Sequence, residues 1–220
     1  MLLFDSLPRP PREITPGVAF LPNALPLARQ AALVEEFRGI ARAYAGTPHA
    51  MVRPQLKSGQ MSVFMLHLGQ RWDYQRYCYL TDGVPPLPAH LRELALSVLA
   101  DAVRLSPSLS PWAGMRVDMA LINYYPPGSK MGLHVDDFEA SDAPVISLSI
   151  GDEALFRIGG TENRNKPWDE VTLCSGDAIV FGGPKRRAYH GIPHLNAETL
   201  PAGCGLREGR INVTFRQVEA

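Results

Sequence analysis

The segment 144–158, PVISLSIGDEALFRI, indicates the fold class of this 220-residue chain. It holds two short strand-like runs, 144–151 and 153–158, separated by a single aspartate. Short strands with no long helix between them predict a β-sandwich or barrel rather than alternating βαβ units. Similar runs, bounded by Gly, Pro or Asp, fill most of the sequence after Pro111: 116–125, 170–174, 177–182, 187–192 and 208–217.

The residues before Pro111 follow a different pattern. Apolar side chains recur at helical spacing over 25–44 and again over 89–105, which predicts two amphipathic helices. A β-rich run at 60–68 lies between them, and a proline-rich, extended lead-in at 5–17 precedes them. The chain is therefore predicted to be an α+β protein, with a jelly-roll-like core and helices packed on one sheet.

This length predicts one compact domain. Residues 1–110 are expected to form an N-terminal extension with the helical cover, and residues 111–220 the β core. The stretches 159–169 and 194–207 are predicted to be surface loops because turn-forming residues dominate them.

The composition excludes several classes of protein. Lys plus Arg number 22 and Asp plus Glu number 22, so nucleic-acid binding would require a local basic patch. The three cysteines form no C-x-x-C motif, which is typical of reduced thiols in a cytosolic protein. No apolar run reaches the roughly 18–20 residues of a bilayer span, and the N-terminus lacks a long apolar h-region. A cytoplasmic protein without membrane contact is expected.

The segment 123–136, NYYPPGSKMGLHVD, contains the best candidate metal ligands. In an extended strand, His134 and Asp136 would point to the same side. A third ligand would have to come from elsewhere, and His190, at the end of a β-rich run, is the best candidate. Two histidines and one carboxylate form the facial triad of non-haem Fe(II) oxygenases.

A His-x-Asp pair by itself is more typical of a surface strand with two polar residues than of a metal site. The other histidines are expected to be structural or solvated, because they lie in an apolar strand or in proline-rich turns: His49, His67, His90 and His194.

The run RINVTFR near the C-terminus alternates strictly between polar and apolar residues. Arg210, Asn212, Thr214 and Arg216 share one face, either as a polar edge in water or as a donor array for a dicarboxylate. Arg210 and Arg216 would lie about 20 Å apart on a straight strand, so both could reach one small acid only through twist and side-chain length.

Taken together, His134-x-Asp136, the distant His190 and RINVTFR resemble the AlkB family of Fe(II)- and 2-oxoglutarate-dependent dioxygenases. LINYYPPGSKMGLH is similar to the family signature N-x-Y-x-P-G-x-x-x-x-x-H, and AYHGI is similar to its distal-histidine segment. The resemblance extends more loosely from Gln60 to the C-terminus and is closest to bacterial members that repair alkylated nucleobases. It implies a double-stranded β-helix (jelly-roll) core with N-terminal helices and a nucleotide-recognition lid.

The resemblance also implies roles for individual residues. The iron ligands would be His134, Asp136 and His190. The carboxylates of 2-oxoglutarate would be held by Asn123, Tyr125, Arg210, Asn212 and Arg216. In the lid, Trp72 would be the ring that stacks on the base, with Tyr79 beside it.

The segment after Asp136 departs from the family pattern by one residue. The acid that contacts the base is therefore either Asp137 or Glu139, with Phe138 at the ungapped position. Arg164 is the nearest match to the family's substrate-side arginine.

The resemblance implies oxidative dealkylation of N-alkylated bases in DNA or RNA. Decarboxylation of 2-oxoglutarate with O₂ would be coupled to hydroxylation of the alkyl group and release of an aldehyde. We expect a monomer that favours single strands. Phosphate contacts would come from 185–187 (KRR) and from the cations of the lid region, Arg53, Lys57, Arg71 and Arg76. The same cofactors could instead serve a protein or small-molecule substrate, and a non-catalytic β-sandwich binding module is the alternative from another class. The preferred base is left open.

Overall fold

The described part of the chain contains fifteen short strands and two long helices. The computed structural model describes residues 9–56, 59–73 and 75–220. The helices are α1 (Leu27–Ala43) and α2 (Ala89–Leu105). The strands are β1 (Arg12–Thr15), β2 (Val18–Leu21), β3 (Gln55–Leu56), β4 (Gly59–Gln60), β5 (Phe64–Leu68), β6 (Arg71–Asp73), β7 (Cys78–Leu80), β8 (Met119–Tyr125), β9 (Met131–His134), β10 (Val145–Gly151), β11 (Glu153–Ile158), β12 (Asp169–Leu173), β13 (Ala178–Phe181), β14 (His190–Asn196) and β15 (Arg210–Arg216).

The strands form two main antiparallel sheets. The larger has seven strands in the order β1-β2-β13-β10-β15-β8-β5, and the smaller has four in the order β12-β11-β14-β9. Two further hairpins, β3–β4 and β6–β7, stand apart from these sheets. Most neighbours in both sheets are not consecutive along the chain, with β1–β2 and β11–β12 as the exceptions. Such crossovers are typical of a jelly roll, so the predicted α+β, double-stranded β-helix architecture is confirmed.

Alternation along single strands separates two hydrophobic cores. On β13, Ile179 and Phe181 pack between the two sheets, whereas Ala178 and Val180 pack on the helix side. On β15, Ile211, Val213 and Phe215 also belong to the helix-side core. The polar residues of β15 consequently face inwards, towards the space between the sheets.

Both predicted helices are present within two residues of their expected bounds. In α1 the buried stripe contains Leu33, Val34 and Phe37, and in α2 it includes Leu91 and Leu99. These residues recur at helical spacing and pack with the outer face of the seven-stranded sheet. The helices therefore support the sheet from outside and leave its inner face for chemistry.

The N-terminal segment contributes more strand than its sequence indicated. Of the extended lead-in expected over 5–17, residues 5–8 lie outside the described ranges, and β1 occupies part of the remainder. Beyond this lead-in, residues 18–21 form β2, which is fully buried and pairs with β13, with Val18 opposite Phe181. A four-residue apolar run is too short for its periodicity to identify a strand.

The expected surface loop at 194–207 was also partly wrong, because β14 continues to Asn196. Strands from before and after residue 110 share the seven-stranded sheet, through β2 and β5 on one side and β8, β10, β13 and β15 on the other. Within the described residues, neither helix is long and apolar enough to cross a bilayer.

A buried aspartate holds the turn that leads into β15. Asp152 accepts hydrogen bonds from the backbone N–H groups of Thr199, Leu200 and Gly209 at 2.9–3.0 Å. Gly209 has φ +72°, and a Cβ there would lie 2.4 Å from the carbonyl oxygen of Tyr125. Asp152 and Gly209 together determine where β15, with Arg210 at its start, enters the sheet.

Replacing Asp152 with Ala is expected to lower the free energy of unfolding by about 3 kcal/mol, because one buried and two partly buried N–H groups lose a charged acceptor. Denaturant titration with an unchanged m-value measures this loss. Asp101 is the matched control: it pairs with Arg104 on the exposed side of α2. Its replacement should cost less than about 0.5 kcal/mol. Equal losses in the two variants would contradict the role given to Asp152.

Candidate metal centre and anion pocket

A cavity of about 440 Å³ lies between the two sheets. Alternate residues of β8 line the cavity, namely Met119, Leu121, Asn123 and Tyr125. The residues between them belong to the helix-side core. The polar face of β15, the ends of β9 and β14, and the β6–β7 hairpin complete the wall. The cavity is thus polar at its deep end and aromatic at its mouth.

The structure brings His134, Asp136 and His190 together at this cavity. His134 ends β9, His190 begins β14, and the two residues are direct partners in the antiparallel register. Their rings lie 4.5 Å apart between centroids. One oxygen of Asp136 is 3.7 Å from Nε2 of His134, and the other is 3.7 Å from Nε2 of His190. All three ligand atoms lie within 4.8 Å of one another, close enough to hold one metal ion.

The sequence reasoning for Asp136 was wrong in one respect. β9 ends at His134, so Asp136 is not carried by the same strand. Its position depends on two arginines after β13, since Arg186 and Arg187 donate hydrogen bonds to its backbone carbonyl at 2.7 and 2.9 Å. Long-range hydrogen bonds, rather than strand alternation, therefore place the carboxylate beside the histidines.

Both imidazoles are oriented by backbone carbonyls. Nδ1 of His134 lies 2.9 Å from the oxygen of Gly132, and Nδ1 of His190 lies 3.0 Å from the oxygen of Ala188. A carbonyl oxygen can only accept, so each Nδ1 carries the proton and each Nε2 keeps its lone pair. The two lone pairs face the carboxylate, which is the arrangement that metal-binding histidines require.

The protonation states also suit a divalent cation. Burial lowers the pKa of His190 to about 4, so its imidazole is neutral near pH 7. Burial alone would raise the pKa of Asp136, but Arg216 and the two histidines outweigh it and hold this pKa well below its ordinary value. An ionised carboxylate beside a neutral imidazole binds a metal without first losing a proton.

Arg216 links the carboxylate to a buried network. Its Nη2 lies 2.5 Å from Asp136, and its Nη1 lies 3.2 Å from Glu139. Glu139 is 2% exposed and also accepts from the Tyr79 hydroxyl at 2.6 Å and from Arg186 at 3.1 Å. Glu139 is thus enclosed by its partners and is not part of the cavity wall.

Arg210 forms a candidate anion site deeper in the cavity. Its side chain is 1% exposed, and one nitrogen donates to Ser149 at 2.6 Å. Nε and Nη1 have no hydrogen-bond partner among the described residues. Its register partner is Tyr125, and the next inward pair on β15 and β8 is Asn212 opposite Asn123. A buried guanidinium with two spare donors fits a carboxylate ligand, because such a charge is costly when unpaired.

Comparison with known proteins agrees with this donor set. The sequence profile described as the 2OG-Fe(II) oxygenase superfamily matches residues 17–216. A Caulobacter vibrioides protein named alpha-ketoglutarate-dependent dioxygenase AlkB homolog is 35% identical over 222 residues, covering 94% of this chain and 90% of that protein. The chain belongs to the AlkB family of the 2OG-Fe(II) oxygenase superfamily.

Two further proteins that are similar to this chain carry ALKBH1 in their names. The solved structure of OsALKBH1 has a TM-score of 0.79 and 27% sequence identity, covering 94% of this chain and 100% of that one. An Arabidopsis thaliana protein named DNA N(6)-methyladenine demethylase ALKBH1C is 30% identical over 226 residues. Those residues cover 93% of this chain, which spans only about half of that relative, 49% of its length. The enzyme class is an Fe(II)- and 2-oxoglutarate-dependent dioxygenase.

In this AlkB-family chain, aromatic residues form the mouth of the cavity. Trp72 and Tyr79 are cross-strand partners in the β6–β7 hairpin, with ring centroids 5.1 Å apart. Phe138 stacks on Trp72 at 4.7 Å with an angle of 23° between the rings. Tyr77, which the sequence reasoning missed, meets the Trp72 ring edge at 6.1 Å.

Two candidate substrate residues lie away from this mouth. Asp137 is exposed and does not line the cavity. Arg164 belongs to the 159–169 loop, where its guanidinium lies 5.6 Å from the ring centroid of Tyr189, and it does not line the cavity either. The structure therefore does not bring these two residues together with Trp72.

The basic run at 185–187 is engaged within the protein. Lys185 donates to the carbonyl of Gly159 at 2.6 Å. Arg186 is 2% exposed, and Arg187 donates to the backbone oxygens of Asp136 and Glu139. The expectation of phosphate contacts from this run is therefore wrong for the buried Arg186 and stays a prediction for Arg187, whose side chain is 32% exposed. Both arginines support the segment after β9. Of the lid-region cations, Lys57 lies outside the described residues.

His67 is a cavity residue, not merely a structural one. It alternates with Leu66 and Leu68 along β5, so its ring shares the cavity side with Met65. Burial lowers the pKa of His67 to about 4, with Arg71 and Arg216 adding to the effect. Because its pKa is below the ~6.5 of an exposed histidine, the stability it contributes is present above about pH 6.5 and is lost as pH falls towards 4.

Replacing His67 with Asn is expected to flatten the acid limb of the curve of stability against pH. The unfolded wild-type chain binds a proton at this residue more readily than the folded chain, and the variant lacks that difference. Denaturant titrations at pH values from about 7 to about 4 measure the effect. Exposed His194, replaced by Asn, is the control and should retain the wild-type slope. Identical slopes for wild type and His67→Asn would contradict this assignment.

Proposed function

We propose that the protein removes alkyl groups from the nitrogen atoms of nucleobases in DNA or RNA by oxidation. The observation that carries the proposal is one cavity with two ends. A carboxylate and two imidazoles share the cavity with the buried, partly unpaired Arg210. Stacked aromatic rings form the other end. The Arabidopsis relative is named for the demethylation of a DNA base.

His134, Asp136 and His190 would hold Fe(II), since the lone pairs and the charge that they offer suit a divalent metal. Arg210, with Tyr125, Asn123 and Asn212 around it, would receive the far carboxylate of 2-oxoglutarate. The metal and this cosubstrate supply insertion of an oxygen atom from O₂ into a C–H bond, with 2-oxoglutarate leaving as succinate and CO₂. The resulting hydroxyalkyl group on nitrogen is released as an aldehyde.

The protein's own task is to present the base and to exclude water. A base inside a duplex must be extruded at a cost of a few kcal/mol. Stacking of the base on Trp72 would stabilise the extruded state by roughly 1–3 kcal/mol. An unpaired base requires no extrusion, so we propose that single strands are favoured. All proposed ligands come from one chain, which supports a monomer as the active form.

The phosphate backbone of the bound nucleic-acid strand would contact a small patch of arginines near the mouth of the cavity. Arg76 lies in the turn of the β6–β7 hairpin and its side chain is 70% exposed. Arg53 lies over the Phe64 ring, 5.4 Å from its centroid. Two exposed cations in a chain of zero net charge predict moderate, salt-sensitive affinity with little sequence preference.

Replacing Trp72 with Ala is expected to abolish aldehyde release from a methylated oligonucleotide. The slow formation of succinate without nucleic acid should persist, because the metal and Arg210 subsites are untouched. His134→Ala and Asp136→Ala should lose both activities. Parallel assays of succinate and aldehyde, in the presence of Fe(II), 2-oxoglutarate and O₂, measure how far each variant loses the two activities separately.

Trp168→Ala is the matched control, since this indole lies under Arg157 in a surface loop and does not line the cavity. It should retain both activities. Dealkylation that survives in Trp72→Ala would show that the base does not stack there and would favour a substrate other than nucleic acid. Absence of succinate with the wild-type chain would refute the proposal altogether.

A further inference from the structure

A second cavity, of about 330 Å³, lies between α1 and the outer face of the seven-stranded sheet. Its roof is one side of α1, where Val34, Phe37 and Ala41 recur at helical spacing. Its floor includes Ile122 of β8 and Ile211 of β15. These floor residues belong to the helix-side core, so this cavity and the metal-binding cavity lie on opposite faces of one sheet.

This helix-side cavity is a gap in an otherwise closely packed core. Val34, Phe37, Leu66 and Ile122 are buried and supply apolar side chains to its walls. Protein interiors contain few voids larger than a water molecule. A water molecule takes up about 30 Å³ and a methylene group is of similar size, so 330/30 gives room for about eleven such groups. The space between a helix and a sheet is narrow, so it fits an unbranched apolar chain better than the surface of a folded partner.

The rim of the helix-side cavity carries a free cation. Arg207 is exposed and forms no ion pair or hydrogen bond with another described residue. Arg38 also lines the cavity, but its guanidinium is shared with Glu35 at 3.3 Å and with the carbonyl of Gly205 at 2.7 Å. Glu208 is the one acid among the described lining residues. An incoming anion would therefore meet two guanidinium groups against one carboxylate, and Arg207 is the cation that is free to pair with it.

The Tyr124 hydroxyl adds a spare donor to this rim. Its ring lines the cavity, and its hydroxyl has no hydrogen-bond partner among the described residues. Burial and the nearby Glu208 raise the pKa of this phenol, so it keeps its proton at neutral pH. A phenolic O–H and a guanidinium are both donors from which a carboxylate can accept hydrogen bonds.

Occupancy of the helix-side cavity leaves the metal-binding cavity accessible. Tyr124 is opposite Ile211 in the register of β8 and β15, next to the pair Tyr125 and Arg210. Side chains of successive strand residues point to opposite faces of a sheet. A ligand on the helix side would therefore contact the back of the strands that carry the anion pocket without entering that pocket.

We propose that the helix-side cavity binds a single-chain, monoanionic amphiphile of the fatty-acid class. Its alkyl chain would lie between α1 and the sheet, and its carboxylate would lie at Arg207 and Tyr124. The apolar walls account for the chain, and the unpaired guanidinium and hydroxyl account for the head group. This site is separate from the proposed reaction, so either can hold without the other.

Isothermal titration of the full chain, without oxygen and below the micelle-forming concentration of each probe, measures binding of octanoate, decanoate, dodecanoate and tetradecanoate. One molecule should bind per chain. Affinity should rise roughly tenfold from octanoate to decanoate, since two more methylene groups become buried. It should level off beyond dodecanoate, because the cavity is then full. Decylamine has the same chain length as decanoate and a positive head group, and should bind about threefold more weakly or worse.

Two substitutions and a matched control locate the binding. Ala41→Leu places three further carbon atoms in the cavity and should weaken decanoate binding by at least about tenfold. Ala32→Leu makes the same change on the exposed side of α1 and should keep the wild-type affinity. Leucine is a good helix former, so both variants are expected to fold. Arg207→Gln alters only an exposed side chain and should weaken decanoate about threefold, without changing the affinity for decanol.

Titration in saturating 2-oxoglutarate shows which cavity is occupied. Unchanged decanoate affinity supports the helix-side site, whereas competition would place the probe at Arg210 and overturn the proposal. No binding to the wild-type chain, wild-type affinity in Ala41→Leu, or affinity that keeps rising up to tetradecanoate would also overturn it. Tighter binding of decylamine than of decanoate would contradict the anionic class of ligand. None of these results bears on nucleobase dealkylation.

Discussion

The ion pair between Asp136 and Arg216 is the interaction on which the rest of the site depends. Asp136 follows β9 in the smaller sheet and Arg216 ends β15 in the larger one, so the pair connects the two sheets at the cavity. A buried carboxylate stays ionised only with a compensating cation nearby. Through Glu139 and Tyr79, the same guanidinium is also tied to the aromatic hairpin. The position of the metal ligand Asp136 is therefore fixed relative to β15, which carries the cosubstrate groups, and to the β6–β7 hairpin of the lid.

Patterns with a regular period were readable from the sequence. The alternation of 210–216 predicted which side chains of β15 share one face, and in the structure that face lines the cavity. Helical spacing predicted both helices within two residues. Features made by long-range contacts were not readable. Asp136 is positioned by Arg186 and Arg187, about fifty residues away, and no local pattern contains that information. His67 appeared as one polar residue in an apolar strand, because its role depends on which sheet face becomes the cavity.

Chemistry and substrate selection occupy different parts of the fold. Apart from Asp136, the groups for metal and cosubstrate lie on the paired strands β8, β9, β14 and β15, where register holds side chains rigidly. The groups for the base lie on the β6–β7 hairpin and on the segment after β9, outside both main sheets. Changes in this second set can alter the preferred base without disturbing the buried network. Phe138 belongs to that set, whereas Glu139, its neighbour, belongs to the network.

The most direct measurement is a crystal structure of the protein grown with Fe(II) in the absence of oxygen, with anomalous scattering recorded at the iron edge. The account predicts one strong peak between Nε2 of His134, Nε2 of His190 and the carboxylate of Asp136, in contact with all three. A peak at another group of side chains, with none between these three, would contradict it.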